Sequence, residues 1–362
     1  MILKWLELHD FRNYKELLFK PGLEGVIVII GDNGQGKSSL LEAISYAAAK
    51  KSFRGAVKET IIGYGSDEAI VRASFESSLK REILVEASMA RNGRDRFLVN
   101  KQPLSKVSDI NKTIPITVFA AQDIEVVRGA PSLRRDFLDE CVAMLFPRGS
   151  STISALEKVL RQRGMLLKQS GGVLTSEIAS TLDVWDQQLS LYGSKLVELR
   201  RGLVALLSPY VNDAYQKISG KGEPVSLTYK CSWEDDLYLE LVKYRKEDLR
   251  RQANSIGPHR DELEIDLDNH PIRHNGSQGE QRTAAYALKV AFHSLYKDRT
   301  SEDPILLLDD VFSELDEKRS EAILNSISAT QTILTTTGAI PNIVEPSSRI
   351  YVKQGRLVGS LD

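Results

Sequence analysis

The chain has 362 residues, 42% hydrophobic and 27% charged, close to a soluble globular average, so it can bury a sizeable core and is neither disordered nor fibrous. Its 48 basic and 49 acidic side chains leave a net charge of -1, which excludes a uniformly basic nucleic-acid binder and leaves only local patches for polyanion contacts. No apolar run reaches membrane-helix length, Met1 to Trp5 carry no export signal, and Cys141 and Cys231 lack neighbours at metal-ligand spacing; a cytoplasmic chain with free thiols and no membrane contact is expected.

Residues 2 to 8 read as an opening strand, followed by Phe11-Arg12-Asn13-Tyr14. The run Val26-Ile27-Val28-Ile29-Ile30 reads as a buried strand, and Leu40-Leu41-Glu42-Ala43-Ile44 opens a helical pattern. Between them Gly31-Asp32-Asn33-Gly34-Gln35-Gly36-Lys37-Ser38, with Ser39 next to it, fills every fixed position of the G-x-x-x-x-G-K-[ST] phosphate loop. Its glycines let backbone N–H groups face the phosphates of ATP, Lys37 reaches the outer phosphates, and the Ser38 hydroxyl can ligate Mg2+ at the helix start. Strands near 69 to 75, 82 to 87, 96 to 99 and 114 to 119 complete a nucleotide lobe around this loop.

Basic residues gather at Lys50, Lys51, Arg54 and Lys58, and again at Arg134 and Arg135. Lys50, Lys51, Lys58, Arg134 and Arg135 are candidates for contacting DNA phosphates without reading sequence, while Arg12 and Arg54 match the geometry of a nucleotide phosphate. Residues 132 to 255 read as mostly helical, with Trp185, Leu189, Tyr192, Leu196, Leu199, Leu203 and Leu206 forming an apolar packing stripe. Turns are expected at Gly171-Gly172 and from Gly220 to Pro224. His259 and Arg260 follow Gly257-Pro258, either in a tight connection or at a site.

Ser277-Gln278-Gly279-Glu280-Gln281-Arg282 precedes an Ala-rich helical run, and a helix start of this kind is a second anion-binding surface. Since the chain already carries a phosphate loop, this second surface makes sense if it completes the site of another copy, giving a homodimer on ATP binding. Ile305-Leu306-Leu307-Leu308 then leads into Asp309 and Asp310, an apolar strand ending in two carboxylates. Asp309 suits the metal and Asp310 the attacking water. One methylene shorter than Glu, Asp310 predicts slow hydrolysis. Residues 331 to 336 return to the first sheet, and Thr335-Thr336-Thr337 offers no imidazole there.

Ser277 to Arg282 resembles the signature motif of ABC-type ATPase heads, the superfamily that includes SMC proteins and membrane transporters. The resemblance implies that Ser277, Gln278, Gly279 and Glu280 act in trans, and that Gln122 is a metal-sensing glutamine. It also implies that Ser313-Glu314-Leu315-Asp316 is the loop crossing a dimer interface, with Ser313 and Asp316 its polar members, and that Arg12 sits beside the nucleotide. With Lys51-Ser52-Phe53-Arg54, Arg134 to Asp139 and Gly257 to Asp261, the whole chain resembles the RecF family of bacterial DNA replication and repair proteins.

That resemblance implies an α/β, ABC-type ATPase head: a mixed-sheet nucleotide lobe (1–122 and 300–362), a mainly helical second lobe (123–299), and no long coiled coil. It also implies ATP and Mg2+ as cofactors and a weak, DNA-stimulated ATPase with Lys37, Asp309, Asp310 and Gln122 in the catalytic roles. The implied partners are gapped or duplex DNA, RecO, RecR and, indirectly, RecA. The alternatives are the soluble ATPase subunit of a membrane transporter, and a scaffold that binds ATP without hydrolysing it.

Overall fold

The structure, a computed structural model, describes residues 1–104, 110–327, 329–338 and 344–361. The chain divides into two compact units, Met1–Asp123 with Ala214–Lys221 and Tyr286–Asp362, and Ile124–Asp213 with Gly222–Ala285. The first opens with strands β1 (Ile2–Phe11) and β2 (Tyr14–Phe19), then β3 (Gly25–Ile30), helix α1 (Lys37–Ala49) and a helical turn α2 (Lys58–Ile61). Strands β4 (Glu68–Glu76), β5 (Glu82–Ala90), β6 (Arg96–Val99) and β7 (Gln102–Pro103), a turn α3 (Ile110–Thr113) and β8 (Ile116–Ala120) follow.

The next stretch of chain carries α4 (Glu125–Arg128), α5 (Pro131–Leu145), α6 (Gly149–Gln169), the 44-residue α7 (Ser176–Ser219), β9 (Val225–Lys230) and α8 (Leu237–Arg251). It continues through β10 (Glu262–Leu267), β11 (His270–Pro271), α9 (Ile272–Asn275) and α10 (Gln278–Thr300). The chain then closes the first unit with β12 (Ile305–Asp309), α11 (Glu317–Ser326), β13 (Gln331–Thr336), β14 (Pro346–Lys353) and β15 (Arg356–Leu361).

Two six-stranded sheets build the first unit. One is antiparallel throughout, in the order β2-β1-β4-β5-β6-β7; the other runs β15-β14-β3-β13-β12-β8 and is parallel except for β15. Strands buried on both faces need continuous apolar runs, which is why Ile27 to Ile29 and Ile305 to Leu308 are buried without interruption. Helix α1 contacts strands of both sheets, and Leu40, Leu41, Ala43, Ile44, Ala47 and Ala48 are all buried in the core they share. Each such Leu or Ile contributes about 1.5–3 kcal/mol by leaving water.

The second unit is mostly helical but contains a three-stranded sheet, β11-β10-β9, whose strand β9 interrupts the stretch 132 to 255 read as mostly helical. Only six residues alternate in β9, and α8 separates it from its partner β10, so its period of two was hidden among helical segments. Strands β2, β14 and β15 were likewise not legible.

The apolar stripe of α7 is rotated from its expected position. Leu189, Leu196 and Leu203 are buried, whereas Trp185, Tyr192, Leu199 and Leu206 are only half-buried; the buried face also takes in Asp186, Gly193 and Arg200 beside Leu182, Val197, Val204 and Leu207. Charges can sit there because each is paired. Arg163, fully buried, donates to Asp186 (2.6 Å), Asp248 (2.6 Å) and Asn254 (2.8 Å), Arg245 donates to Asp186 (2.7 Å), and Arg200 holds Asp139 through two bonds of 2.8 Å.

Candidate nucleotide site

The phosphate loop leaves β3 at Gly31 and enters α1 at Lys37. Two glycines are required by close approach. A Cβ at Gly31 would lie 2.4 Å from the Val352 carbonyl, and one at Gly36, where φ is +117°, would lie 2.7 Å from the Asn13 amide. Asn13 Nδ2 donates to the Gln35 carbonyl (3.0 Å), the Tyr14 hydroxyl donates to the Gly36 carbonyl (3.0 Å), and Gly355 N–H donates to Gln35 from the turn after β14. The turn between β1 and β2 is therefore a brace for the loop. Asn13 and Tyr14 had been read only as parts of a motif, and the role of each follows from the fold.

Lys37 is buried, and its ammonium donates to the carbonyls of Gly31 (2.6 Å) and Asp32 (2.9 Å). Burial pushes its pKa down, opposed by the charges of Asp310, Asp309 and Asp32. Asp309 ends β12 beside the loop. Burial raises its carboxyl above the usual range; hydrogen bonds from Ser38 and Thr335, and the Arg54 charge, pull it back. The parallel register sets Asp309 opposite Thr335, whose hydroxyl donates to the Asp309 carboxylate (3.0 Å) and accepts from the Asp310 N–H (3.0 Å). Thr335 thus holds both acidic residues, although the sequence marked it only as a position without histidine. Asp310 has φ +52°, a left-handed conformation that Asp tolerates.

Arg12, Asn33, Gly34, Gly36, Lys37, Ser38, Ser39, Arg54 and Asp310 share the lining of one cavity of about 670 Å³, within the usual range of ligand pockets. Glu59, Thr60, Ile62, Tyr64 and Arg91 complete its wall. Arg12 also has φ +55°, and its guanidinium grips the fully buried Glu42 of α1 through two 2.8 Å bonds. Glu42 in turn accepts from the Ser52 hydroxyl, which accepts the N–H groups of Arg54 (3.1 Å) and Ala56 (3.3 Å). One buried carboxylate therefore fixes the backbone stations of both candidate arginines, a link no motif announced. Gln122 is exposed and donates to the Phe53 carbonyl (3.1 Å), one residue from Arg54.

The basic candidates separate on burial. Lys51 is exposed; Lys50 is half-buried, 5.7 Å from the Phe97 ring, and Lys58 is half-buried with its ammonium on the Ala90 carbonyl (3.0 Å). Arg134 must be corrected. It is 3% exposed, holds Glu262 through bonds of 2.6 and 2.9 Å, and donates to the carbonyls of Val126, Val127 and Gly129, leaving no guanidinium face for DNA. Half-buried Arg135 donates to the Asp261 carbonyl (2.8 Å).

In the second unit, Ser277 caps α10. Its hydroxyl accepts the Glu280 N–H (3.3 Å), while Ser277 N–H donates to the Glu280 carboxylate (2.9 Å), a reciprocal capping box. Ser277 and Gln278 are exposed, Gly279 and Glu280 half-buried. The turn at Gly257, φ +128°, is tied down because His259 and Arg260 both bond to the Asn254 carbonyl. In the first unit, Ser313 donates to the Asp310 carbonyl (2.8 Å), and Asp316 caps α11 by accepting Arg319 N–H (2.9 Å).

Comparison with known proteins gives a consistent result. A family model described as the RecF/RecN/SMC N-terminal domain matches residues 2–349. The DNA replication and repair protein RecF of Agathobacter rectalis is 38% identical over 339 residues, 93% of this chain and 92% of that one. That of Clostridium tetani is 34% identical over 95% of this chain and 94% of its own. Among solved structures, the recombination mediator protein RecF-ATP of the RecFOR pathway superposes with a TM-score of 0.91 at 29% identity, covering 100% of this chain and 98% of that one. An Smc head bound to the C-terminal winged-helix domain of ScpA shares the fold at TM-score 0.60 and 17% identity, covering 100% and 98%.

Proposed function

We infer that this chain, which belongs to the RecF family of DNA replication and repair proteins, binds ATP between two copies of itself and uses the closed dimer to hold DNA during repair. The observation that carries this reading is the shared lining of one cavity by Lys37, Ser38, Arg12, Arg54 and Asp310, which joins the phosphate loop to the end of the acidic strand in the arrangement that phosphoryl-transfer sites use. The RecF-ATP structure supports ATP as the nucleotide.

The residues fit a magnesium nucleotide. Ser38 and Asp309 would hold Mg2+, with Gln122 as the sensing residue, and the ion when bound supplies neutralisation of phosphate charge. Gly31 to Ser39 offer N–H groups and the positive end of α1 to phosphate oxygens, while Lys37, Arg12 and Arg54 supply positive charge. Asp310 orients the attacking water. Thr335 fixes its backbone but brings no second base, so hydrolysis is slow and resets the dimer between DNA-binding events.

The partner copy's role rests on Ser277. The capping box occupies the Ser277 hydroxyl and the N–H of Glu280, and an exposed helix start attracts anions through its dipole. In the closed dimer Ser277 to Glu280 face the phosphates of the other copy, and Ser313 and Asp316 line the crossing. Doubling Lys50, Lys51, Lys58 and Arg135 across a two-fold axis gives a near-neutral chain a basic stripe for gapped or duplex DNA. Cooperation with RecO and RecR, and through them with RecA, extends from the family and from the named pathway of the solved relative.

The test is sedimentation with ATP and Mg2+. Wild-type protein dimerises on adding both; Ser277→Asp keeps an N-cap acceptor but opposes phosphate, and remains monomeric while still binding ATP. A Ser277→Asp dimer as stable as wild type refutes closure through this helix start.

A further inference from the structure

Helix α8 packs one face into the second unit and turns the other to solvent. Leu237, Leu241, Arg245, Asp248 and Leu249 are buried, whereas Leu239, Val242, Lys243, Tyr244, Lys246 and Arg250 are exposed. Leu239, Lys243, Lys246 and Arg250 recur at helical spacing and so form one line along the helix, about 16 Å from end to end. Beside that line Lys243, Tyr244, Lys246, Glu247 and Arg250 enclose a surface groove of about 430 Å³. At its N-terminal end stand Leu239, 65% exposed, and Val242. Its C-terminal end meets the turn between α6 and α7, where a Cβ at Gly172 would lie 3.7 Å from the Leu249 carbonyl; Val173 and Leu174, next in the chain, are exposed as well. Single exposed aliphatic residues are ordinary, but pairs of them at both ends of one groove offer apolar area that a partner can cover.

The charges of this face do not cancel. Lys243 bonds Glu240 (3.1 Å), and Glu247 is shared by Arg250, through bonds of 2.8 and 2.6 Å, and Arg251. Lys246 has no partner among the described residues, so four cations stand against two carboxylates. Cations in the last turn of a helix complement its dipole, but Lys243 and Lys246 lie further in. A DNA backbone would gain from the cations, yet Glu240 and Glu247 oppose it and the aliphatic groups give it nothing. A carboxylate-bearing peptide gains from both. Tyr244, with the Lys243 ammonium 5.8 Å from its ring, is an aromatic with a polar tip, the kind of side chain that protein interfaces favour. We propose that this face of α8 docks an acidic amphipathic helix of a partner protein. The aliphatic side chains of that helix cover Leu239 and Val242 at one end and Val173 and Leu174 at the other, while its carboxylates meet Lys243, Lys246 and Arg250. Asp235 and Asp236, exposed ahead of α8, repel carboxylates and so place the acidic part of the partner over the C-terminal half of α8. The surface shares no residue with the nucleotide cavity.

The experiment is fluorescence anisotropy of a labelled helical peptide of aspartate and leucine, the leucines at helical spacing, titrated with the full chain. Two counterparts carry asparagine or lysine in place of aspartate. Wild-type protein should bind the aspartate peptide, and the asparagine peptide roughly tenfold more weakly. Lys246→Glu combined with Arg250→Glu, both at exposed positions, should weaken the aspartate peptide roughly tenfold and take up the lysine peptide in its place, an exchange that a loss of folding does not produce. Leu239→Ser combined with Val242→Ser should weaken the aspartate and asparagine peptides alike. The proposal is overturned if wild-type protein does not bind the aspartate peptide, or if the double charge reversal leaves that binding unchanged. It is also overturned if the reversal weakens binding of gapped duplex DNA and spares the peptide, which would make this face part of a DNA surface.

Discussion

Arg54 and Arg163 carry the same charge in opposite settings. In the first unit Arg54 is exposed on the wall of a cavity, where its charge acts on Asp309 and nothing encloses it. In the second, Arg163 is 0% exposed and its guanidinium is held between Asp186 and Asp248. Arg134 and Arg200 repeat the second arrangement with Glu262 and Asp139. An arginine enclosed with its partners is part of the packing, and one that faces a cavity is available to a ligand even where, as at Arg12, one edge is held by a buried carboxylate. Counting basic residues along a sequence cannot separate the two.

The contrast breaks most visibly at Arg163. Arg163→Ala strands Asp186 and Asp248 without their shared cation, and urea unfolding should show a loss of about 3–5 kcal/mol. A loss below 1 kcal/mol would mean that the second unit's charges are not structural. ATP affinity measured on the folded fraction should not change.

The next largest effect is a pH dependence of the same unit. His259 is held neutral, its pKa lowered to about 4, chiefly by burial and further by the charges of Arg260 and Arg135; the bond to the Asn254 carbonyl and the Asp248 charge oppose this. Its Nδ1 is buried without a partner, so a proton added there would find no acceptor. Below about pH 6.5 the unfolded chain takes up that proton and the folded chain does not, so this contribution to stability is lost as pH falls toward 4. The loss amounts to about 3 kcal/mol at ~1.4 kcal/mol per pH unit. His259→Gln should flatten the wild-type fall in melting temperature between pH 7 and pH 4.5; an unchanged slope would assign the acid sensitivity to other groups.

The smallest effect sharpens the other side of the comparison. Thr335→Val removes a hydroxyl that bonds the Asp309 carboxylate and the Asp310 N–H, and should cost about 1 kcal/mol of stability. Single-turnover phosphate release should slow while ATP affinity holds, and Thr335→Ser should restore the rate. Equal loss in the Ser variant would make Thr335 a packing residue rather than a positioning one.

What the sequence alone determined is local and chemical. Gly31 to Ser38, Asp309 with Asp310 and the Ser277 helix start could be read because backbone N–H donors, a lysine, a hydroxyl and a strand-end carboxylate must occur at set spacings whatever surrounds them. Apolar runs such as Ile27 to Ile29 and Ile305 to Leu308 identified buried strands for the same reason, since burial on both faces leaves no choice of residue type.

The tertiary structure alone decided what joins distant segments. Thr335 reaches Asp309 only through the register of two parallel strands, Glu42 links Arg12 to the Ser52 loop only once α1 is buried between the two sheets, and Arg134 becomes a packing residue only when Glu262 arrives from 128 positions away. A side chain's chemistry is written in the sequence, but whether its charge meets a partner or a cavity depends on neighbours that folding brings together.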